Sequence, residues 1–266
     1  MIADAPAVRP FPELLEELRA HGVRRGIGPM PAQPMAPPVS TGQPGLDAAL
    51  RTGGWPRGAL AFLHAPTGLG ATTLALGSLA ACQAAGGLVA YVDLEGSFDA
   101  ATAAALGVDL RWLLVVRPSD PAEAVELAAW LARSRLLDAF VLDLHGARVA
   151  PRTALDRLPQ LLARTGSVAL AVADPPLDNP LGRAAGVRVT LQRSGWLAVG
   201  RDLVGQRVVA AVARHRWALP GGRAELDVWF AEGRRIDALL RARAHLEPMP
   251  AVVDTEERPA LRVLSA

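Results

Sequence analysis

The sequence predicts an α/β protein with a mostly parallel central sheet, flanked by helices and extended by antiparallel strands near its C-terminal end. Residues 61–92 follow the order strand, glycine-bearing loop, helix and strand, which is typical of a parallel crossover unit. Two further apolar runs of strand length, 139–143 and 167–173, alternate with helical patterns. After residue 187 further strands with alternating polarity follow one another closely.

Composition limits the classes of function that the chain can have. All 28 basic residues are arginine, as expected of a GC-rich genome, and the net charge of +2 argues against strong non-specific binding of nucleic acid. The single cysteine, Cys82, rules out a disulfide framework and suits a reducing cytoplasm. Residues 1–19 are acidic and contain proline, unlike a signal peptide. We expect a cytoplasmic protein that does not associate with membranes.

The N-terminal part predicts a tethered helix. Residues 12–25 form an amphipathic helical pattern with acidic residues early and arginines late, so that residues 1–25 make one unit. Residues 26–38 are rich in proline and predict a linker. Such a helix docks on its own domain, on a second copy of the chain or on a partner. Its apolar stripe, the candidate contact surface, consists of Leu14, Leu15 and Leu18.

The loop after the first predicted strand resembles a phosphate-binding loop of the pattern GxxxxGK[ST]. Ala65 replaces the first glycine, and Ala71 replaces the lysine that reaches the phosphates. Loss of that cation removes several kcal/mol of transition-state stabilisation, on the order of what one charged donor supplies. The sequence therefore predicts a nucleotide-type fold without hydrolysis. The residues of this vestigial site are Pro66, Gly68, Gly70, Ala71, Thr72 and Thr73.

The segment that leads into this loop contains four short motifs in a fixed order: Ser40-Thr41-Gly42, Leu46-Asp47, Gly53-Gly54 and Pro56-Arg57-Gly58. In this order and spacing they resemble the bacterial RecA recombinase family. The resemblance covers residues 39–233 and implies a RecA-like P-loop NTPase core over that range.

The resemblance also implies roles for three acidic residues. Glu95 is similar in position to the family's general base, and Asp99 to the aspartate near the adenine. Thr102 lies where the family often has a tyrosine that stacks on the base. Asp143 ends a Walker B strand, 139–143, whose aspartate holds Mg²⁺ in active members.

The segments that resemble the family's DNA-binding loops are short. The strand 167–173 ends at Asp174, where the family has a nucleotide-sensing glutamine. The loops 146–153 and 177–185 are truncated and contain no aromatic residue for stacking on bases. We therefore expect weak or no binding of single-stranded DNA.

Arginine and histidine side chains are the remaining candidates for contacts with nucleotide or metal. Arg214 and Arg216 lie where the family has residues that contact the nucleotide of a neighbouring subunit, but they are equally compatible with solvated arginines on an edge strand. No metal site is expected, because four of the five histidines, His64, His145, His215 and His245, show no metal-ligand spacing.

The C-terminal part, residues 234–266, differs from the lobe that the family has there. Residues 234–246 predict an arginine-rich helix, and residues 247–266 predict a flexible tail. A tail with apolar patches between charges is typical of a partner-binding segment, although a plain disordered end explains it equally well. The candidate partner-binding residues are Val252, Val253, Leu261, Val263 and Leu264.

A RecA-like core without the Walker lysine, with short DNA loops and an arginine-rich extension, resembles the ImuA branch of the RecA superfamily. The resemblance implies a non-enzymatic adaptor in SOS-induced translesion synthesis that requires no cofactor. Its implied partners are ImuB, an error-prone replicative-type polymerase and RecA. The tail is the candidate for ImuB and the N-terminal helix the candidate for RecA.

Two alternatives remain at this point. An ATP-dependent recombinase or mediator would need Arg51, Arg57, or a neighbour's Arg214 or Arg216, in place of the lysine, and the missing lysine weighs against it. A cell-division inhibitor of the SulA type would have a reduced core, whereas this chain keeps the full strand series with Glu95 and Asp143.

Overall fold

The computed structural model describes residues 37–147, 153–174, 180–199, 201–230 and 261–265. The described helices are α1 (Pro44–Ala49), α2 (Ala71–Ala84), α3 (Ala100–Ala105), α4 (Pro121–Ser134), α5 (Thr153–Thr165) and α6 (Pro180–Ala184). The described strands are β1 (Leu60–His64), β2 (Val89–Asp93), β3 (Leu113–Val116), β4 (Ala139–Asp143), β5 (Val168–Ala173), β6 (Val187–Val199), β7 (Asp202–His215), β8 (Arg223–Trp229) and β9 (Leu261–Ser265).

The nine described strands form one sheet in the order β3-β2-β4-β5-β1-β6-β7-β8, with β9 beside β6. Strands β1 to β6 pair in parallel. Strands β7, β8 and β9 pair antiparallel to their neighbours. The predicted fold class is therefore confirmed: a mostly parallel sheet carries an antiparallel C-terminal extension.

The core lies on both faces of the parallel strands. Along β1, the alternating residues Ala61 and Leu63 join the apolar cluster that includes Leu79 of α2. Phe62 and Phe140 are fully buried but lie outside that cluster, as expected for strand positions that point to the opposite face. Helix α5 packs near β1, and α4 packs on α5. Burial on both faces explains why these strands read as continuous apolar runs.

The lead-in motifs have a structural role. The carboxylate of Asp47 accepts hydrogen bonds from the Ser40 hydroxyl at 2.7 Å and from the Thr41 backbone N–H at 2.8 Å. Gly54 has φ +143°, and a Cβ there would lie 2.4 Å from the Val39 carbonyl oxygen. The motifs therefore fold the segment that delivers the chain to β1.

Some predicted elements differ from the observed ones. Strands were predicted at 187–192 and 196–200, but β6 runs unbroken because an irregularity between Arg193 and Gly195 shifts its register without ending the ladder. The predicted loop 177–185 contains the short helix α6, and α1 was not predicted. The tail was predicted to be flexible, yet residues 261–265 form β9 because an edge of β6 is available for pairing.

Among the helices of the described ranges, none combines the length and the apolar character needed to cross a lipid bilayer.

Candidate functional site

A cleft of about 610 Å³ opens at the carboxyl ends of the parallel strands. Ligand sites of open α/β sheets lie at this edge. The cleft gathers the predicted loop residues and Glu95 into one place. The predicted residues that line it are Pro66, Gly68, Gly70, Ala71, Thr72, Thr73 and Glu95.

The glycine loop has a defined backbone conformation. Gly68 and Gly70 have φ values of +85° and +84°, in the left-handed region that favours glycine. Gly70 is the N-cap of α2, and a Cβ built on it would lie 2.8 Å from Cγ1 of Val228. Nε2 of Gln206 donates a hydrogen bond to the Gly68 carbonyl oxygen at 2.6 Å. Strands β7 and β8 therefore hold the loop from the side.

The position of the missing lysine is enclosed. Ala71, the first residue of α2, is only 3% exposed. The N-terminal turn of α2 still presents backbone N–H groups and the positive end of the helix dipole. It contributes no full positive charge, because the first turn contains Ala71, Thr72 and Thr73. The loop keeps a phosphate-cradle backbone without its cation.

Asp93, the acidic residue that ends β2, lies in the protein interior. Asp93 is fully buried and accepts hydrogen bonds from the backbone N–H groups of Ser97 at 2.9 Å and Phe98 at 3.3 Å. Nε of Arg117 lies 3.1 Å from the same carboxylate. Asp93 therefore fixes the turn that carries Glu95 to the cleft.

The Walker B counterpart, Asp143, is engaged by two protein groups. The Tyr91 hydroxyl donates a short hydrogen bond to Oδ2, and Nδ1 of His145 lies 2.8 Å from Oδ1. Burial alone would raise the pKa of Asp143, but the hydrogen bonds from His145 and Tyr91 outweigh it and lower the pKa below its ordinary value. Burial, and then the Asp143 charge, raise the pKa of Tyr91, which keeps its hydroxyl a donor.

Two more carboxylates border the cleft around Gly146. A Cβ built on Gly146 would lie 3.5 Å from Oε1 of Glu95. The Gly146 backbone N–H donates to Asp174 at 3.2 Å, and the Thr67 hydroxyl donates to the same carboxylate at 3.2 Å. The hydrogen bond to Asp143 raises the pKa of His145, the nearest candidate for a positive charge.

The residues present do not fit the Mg-nucleotide that this kind of loop implies. Of the described residues that line the cleft, Glu95 and Asp174 are acidic and none is an arginine. Both oxygens of Asp143 already have protein partners, which leaves fewer lone pairs for a metal-bound water. A polyphosphate here would meet negative charge without a compensating cation.

Two other predicted groups lie elsewhere. Asp99 is the N-cap of α3 and accepts from the backbone N–H groups of Ala101 and Thr102, so its carboxylate serves the fold. Arg214 and Arg216 are exposed, and Arg214 lies level with Phe62 in the middle of β1, because Arg214 pairs with Arg188 and Arg188 with Phe62. Neither arginine lines the cleft at the glycine loop.

The partner-binding predictions are only partly within the described residues. Leu14, Leu15, Leu18, Val252 and Val253 lie outside them. Leu261, Val263 and Leu264 belong to β9.

Several cleft residues were missed by sequence reasoning. The topology supplies a signal for two of them, since His145 and Asp174 directly follow β4 and β5 at the same sheet edge. Four others come from the antiparallel extension, whose approach to the loop has no local sequence signal. These six missed residues are His145, Asp174, Gln206, Val228, Trp229 and Phe230, and the remaining ones are Thr67, Ser97 and Gly146.

Comparison with known proteins gives one consistent result. The RecA N-terminal domain family matches residues 31–160. Protein RecA of Rubrobacter xylanophilus is 34% identical over 229 residues, which cover 73% of this chain and 66% of that protein. Protein RecA of Thermus thermophilus is 33% identical over 254 residues, which cover 82% of this chain and 74% of that protein. The chain thus spans just under two thirds of the Rubrobacter relative.

Proposed function

Because the chain belongs to the RecA family, we propose that it is a non-enzymatic RecA-like adaptor of the ImuA type, which supports DNA damage-induced translesion synthesis by binding ImuB. One observation carries the proposal: the cleft keeps the glycine-loop backbone, but Ala71 stands in place of the cation, and protein donors engage the buried carboxylate of Asp143, two residues before the cleft residue His145. Such a core serves as a scaffold.

The electrostatics of the cleft support the loss of hydrolysis. Phosphoryl transfer depends almost entirely on positioning and on stabilising negative charge. The described cleft residues supply a helix N-terminus and His145 against Glu95 and Asp174. Removing a single hydrogen-bond donor to the developing negative charge already costs about 10²–10³-fold in rate in well-studied enzymes. ATP and Mg²⁺ are therefore not required for the proposed role.

The two ends of the chain are the proposed contact sites for its partners. Residues 247–266, with Val252, Val253, Leu261, Val263 and Leu264, are the proposed site for ImuB. The helix of residues 12–25 is the proposed contact for RecA, and the error-prone replicative-type polymerase joins through the assembled complex. The proposed adaptor binds single-stranded DNA weakly or not at all. It acts in the cytoplasm.

The decisive test is a calorimetric titration of the full chain with Mg-ATP alongside a phosphate-release assay. The adaptor predicts no phosphate release above background, with or without single-stranded DNA. A pull-down with ImuB follows, in which deletion of residues 247–266 should abolish capture while leaving the fold intact, with a melting temperature lowered only by the loss of the β9 ladder. Steady ATP turnover, or unchanged capture by the truncated chain, would overturn the corresponding part of the proposal.

A second candidate is an ATP-dependent recombinase or mediator that binds single-stranded DNA. The name that the relatives share, Protein RecA, favours this function. It would need a cation from a neighbouring subunit, for which the exposed residues Arg214 and Arg216 are the candidates. ATP turnover that rises with protein concentration and is lost in an Arg214→Ala, Arg216→Ala variant would select this candidate.

A further inference from the structure

The C-terminal strand β9 is attached to the sheet through a single ladder. Its five residues pair antiparallel with β6, from Val199 opposite Leu261 to Gly195 opposite Ser265. On the same edge of β6, β1 ends with His64 opposite Thr190. Strand β9 therefore fills the edge of β6 that β1 leaves open, and within the described sheet it pairs with no other strand.

The connection to β9 is long. Thirty residues, 231–260, separate the end of the described β8 region from Leu261. A long connection gives a docked segment only a moderate effective concentration at its own site. A ladder of five residues held in this way exchanges between a docked and a released state more readily than a strand paired on both edges.

The β6 edge that receives β9 is held in place independently of it. Gln206 is the cross-strand partner of Trp196, and its Oε1 accepts a hydrogen bond from Nε of Arg193 at 2.8 Å. The Arg193 guanidinium lies 4.1 Å from the centre of the Trp196 ring. Nε2 of Gln206 donates to Gly68. The acceptor edge therefore stays formed when β9 leaves it.

We propose that β9 is a self-docked form of the C-terminal tail, so that pairing with β6 competes in cis with binding of the tail to its partner. Leu261, Val263 and Leu264 supply both the strand and one of the two apolar patches of the tail. The partner part of this inference rests on the proposed adaptor function. The tail is then available only in the fraction of molecules whose β9 is released, and apparent affinity falls by that fraction.

The test uses the full chain with Ala198→Cys and Arg262→Cys, because these residues are direct register partners. The Cα separation of antiparallel partners, about 4.5–5.5 Å, allows a disulfide. Mild oxidation should give a disulfide within one chain. The two single-cysteine variants are matched controls, and native Cys82 is buried. A disulfide that joins two chains, or failure to form any, would overturn docking in cis.

The availability of the tail is measured with an antibody fragment raised against a synthetic peptide of residues 257–266, using peptides with the matching substitution. We expect the reduced chain to bind at least about tenfold more weakly than its peptide, and the oxidised chain not to bind. Equal affinities for the peptide and the reduced chain would overturn self-docking whatever the partner is.

Competition with the partner is measured with purified ImuB. The oxidised variant should bind at least about tenfold more weakly than the reduced one, and a reductant should restore binding. Equal binding would overturn the competition and leave the adaptor function standing. If neither wild type nor the reduced variant bound ImuB, the proposed function would fail, and the antibody comparison would still decide whether the tail is self-docked.

Discussion

The glycine loop and the acidic strand ends differ in what each shares with the nucleotide-site pattern that the chain resembles. The loop keeps the left-handed glycines Gly68 and Gly70 but has alanine where the cation belongs. The strand ends keep Asp143, the Walker B counterpart, and the carboxylates of Asp143 and of the neighbouring Asp93 both bind protein donors. The glycine loop therefore retains the backbone conformation of the pattern, and the strand ends retain an acidic residue of it. The comparison shows that a fold can keep the backbone geometry of a site and its side chains independently of each other.

The reason lies in what each region packs against. Gln206 and Val228 hold the loop from the antiparallel strands, so its shape does not depend on a bound phosphate. Asp143 is buried, and a buried carboxylate needs donors whether or not a metal ion is present. Each feature therefore stabilises the fold on its own.

The largest effect is expected at the loop. Gly70→Ala should destabilise the chain by about 2–5 kcal/mol, because a left-handed alanine costs about 1–2 kcal/mol and its Cβ would lie 2.8 Å from Val228. Gly68→Ala is the matched control, since Gly68 has nearly the same φ with nothing within 4 Å of the added Cβ, and should cost only about 1–2 kcal/mol. Urea unfolding measures both, and equal losses would show that Val228 does not hold the loop.

The next effect is expected at the acidic strand ends. Tyr91→Phe removes a donor to the buried Asp143 carboxylate and should destabilise the chain by about 1.5–3 kcal/mol. Ser167→Ala is the control, because its hydroxyl donates to the neutral Leu137 carbonyl and its loss should cost about 0.5–1.5 kcal/mol. A Tyr91→Phe loss no larger than the control would contradict a charged carboxylate at Asp143.

A smaller effect should depend on pH. The raised pKa of His145 gives a contribution that is full below its ordinary pKa of 6.5 and is lost as the pH rises through the raised value. The lowered pKa of Asp143 gives a contribution that is present above 3.8 and is lost on acidification. Hence His145→Gln should destabilise the chain more at pH 5.5 than at pH 8.

The comparison must be made as a difference between variant and wild type. Burial lowers the pKa values of His64 and His215. Their contributions to stability therefore have the opposite pH dependence to that of His145 and weaken as the pH falls below 6.5. Both residues are present in wild type and variant, and their effects cancel in the difference. A His145→Gln loss that grew towards pH 8 would contradict the assigned contact with Asp143.

The smallest change is expected from restoring the missing cation. Ala71→Lys should leave phosphate release from Mg-ATP at background, because Tyr91 and His145 still engage Asp143. Ala71→Met is the control, since it adds similar length without charge at a site that is 3% exposed. Turnover in the lysine variant but not in the methionine variant would show that the strand ends had remained competent.

The sequence predicts the parallel half of this fold well and the antiparallel half less well. Apolar runs such as 139–143 coincide with β4 because burial on both faces requires continuous hydrophobicity. The strand break expected near Arg193 was wrong, since a register shift keeps polar residues within β6. Long-range pairing such as that of β9 leaves no local pattern to detect.

The candidate site likewise has one part that the sequence predicts and one part that it does not. The glycine loop and Glu95 are visible in the sequence because short motifs specify them. The Tyr91 contact to Asp143 depends on how two adjacent strands are aligned, and the contact of Gln206 with Gly68 spans 138 residues of sequence. The contact of His145 with Asp143 is local, but no motif marks it. Whether Glu95, Arg214 or the tail acts as predicted stays a prediction until the variants are measured.

The single cysteine can report on local unfolding of helix α2, which follows the glycine loop. Cys82 lies buried on α2, and a Cβ on Gly87 would come within 2.6 Å of its Sγ, so a reagent has no room to approach while the helix is packed. Modification by a thiol reagent must wait for that helix to open. When reclosing is faster than modification, the ratio of its rate to that of an exposed thiol gives the free energy of local opening around Cys82, with no signal from another cysteine in the natural chain.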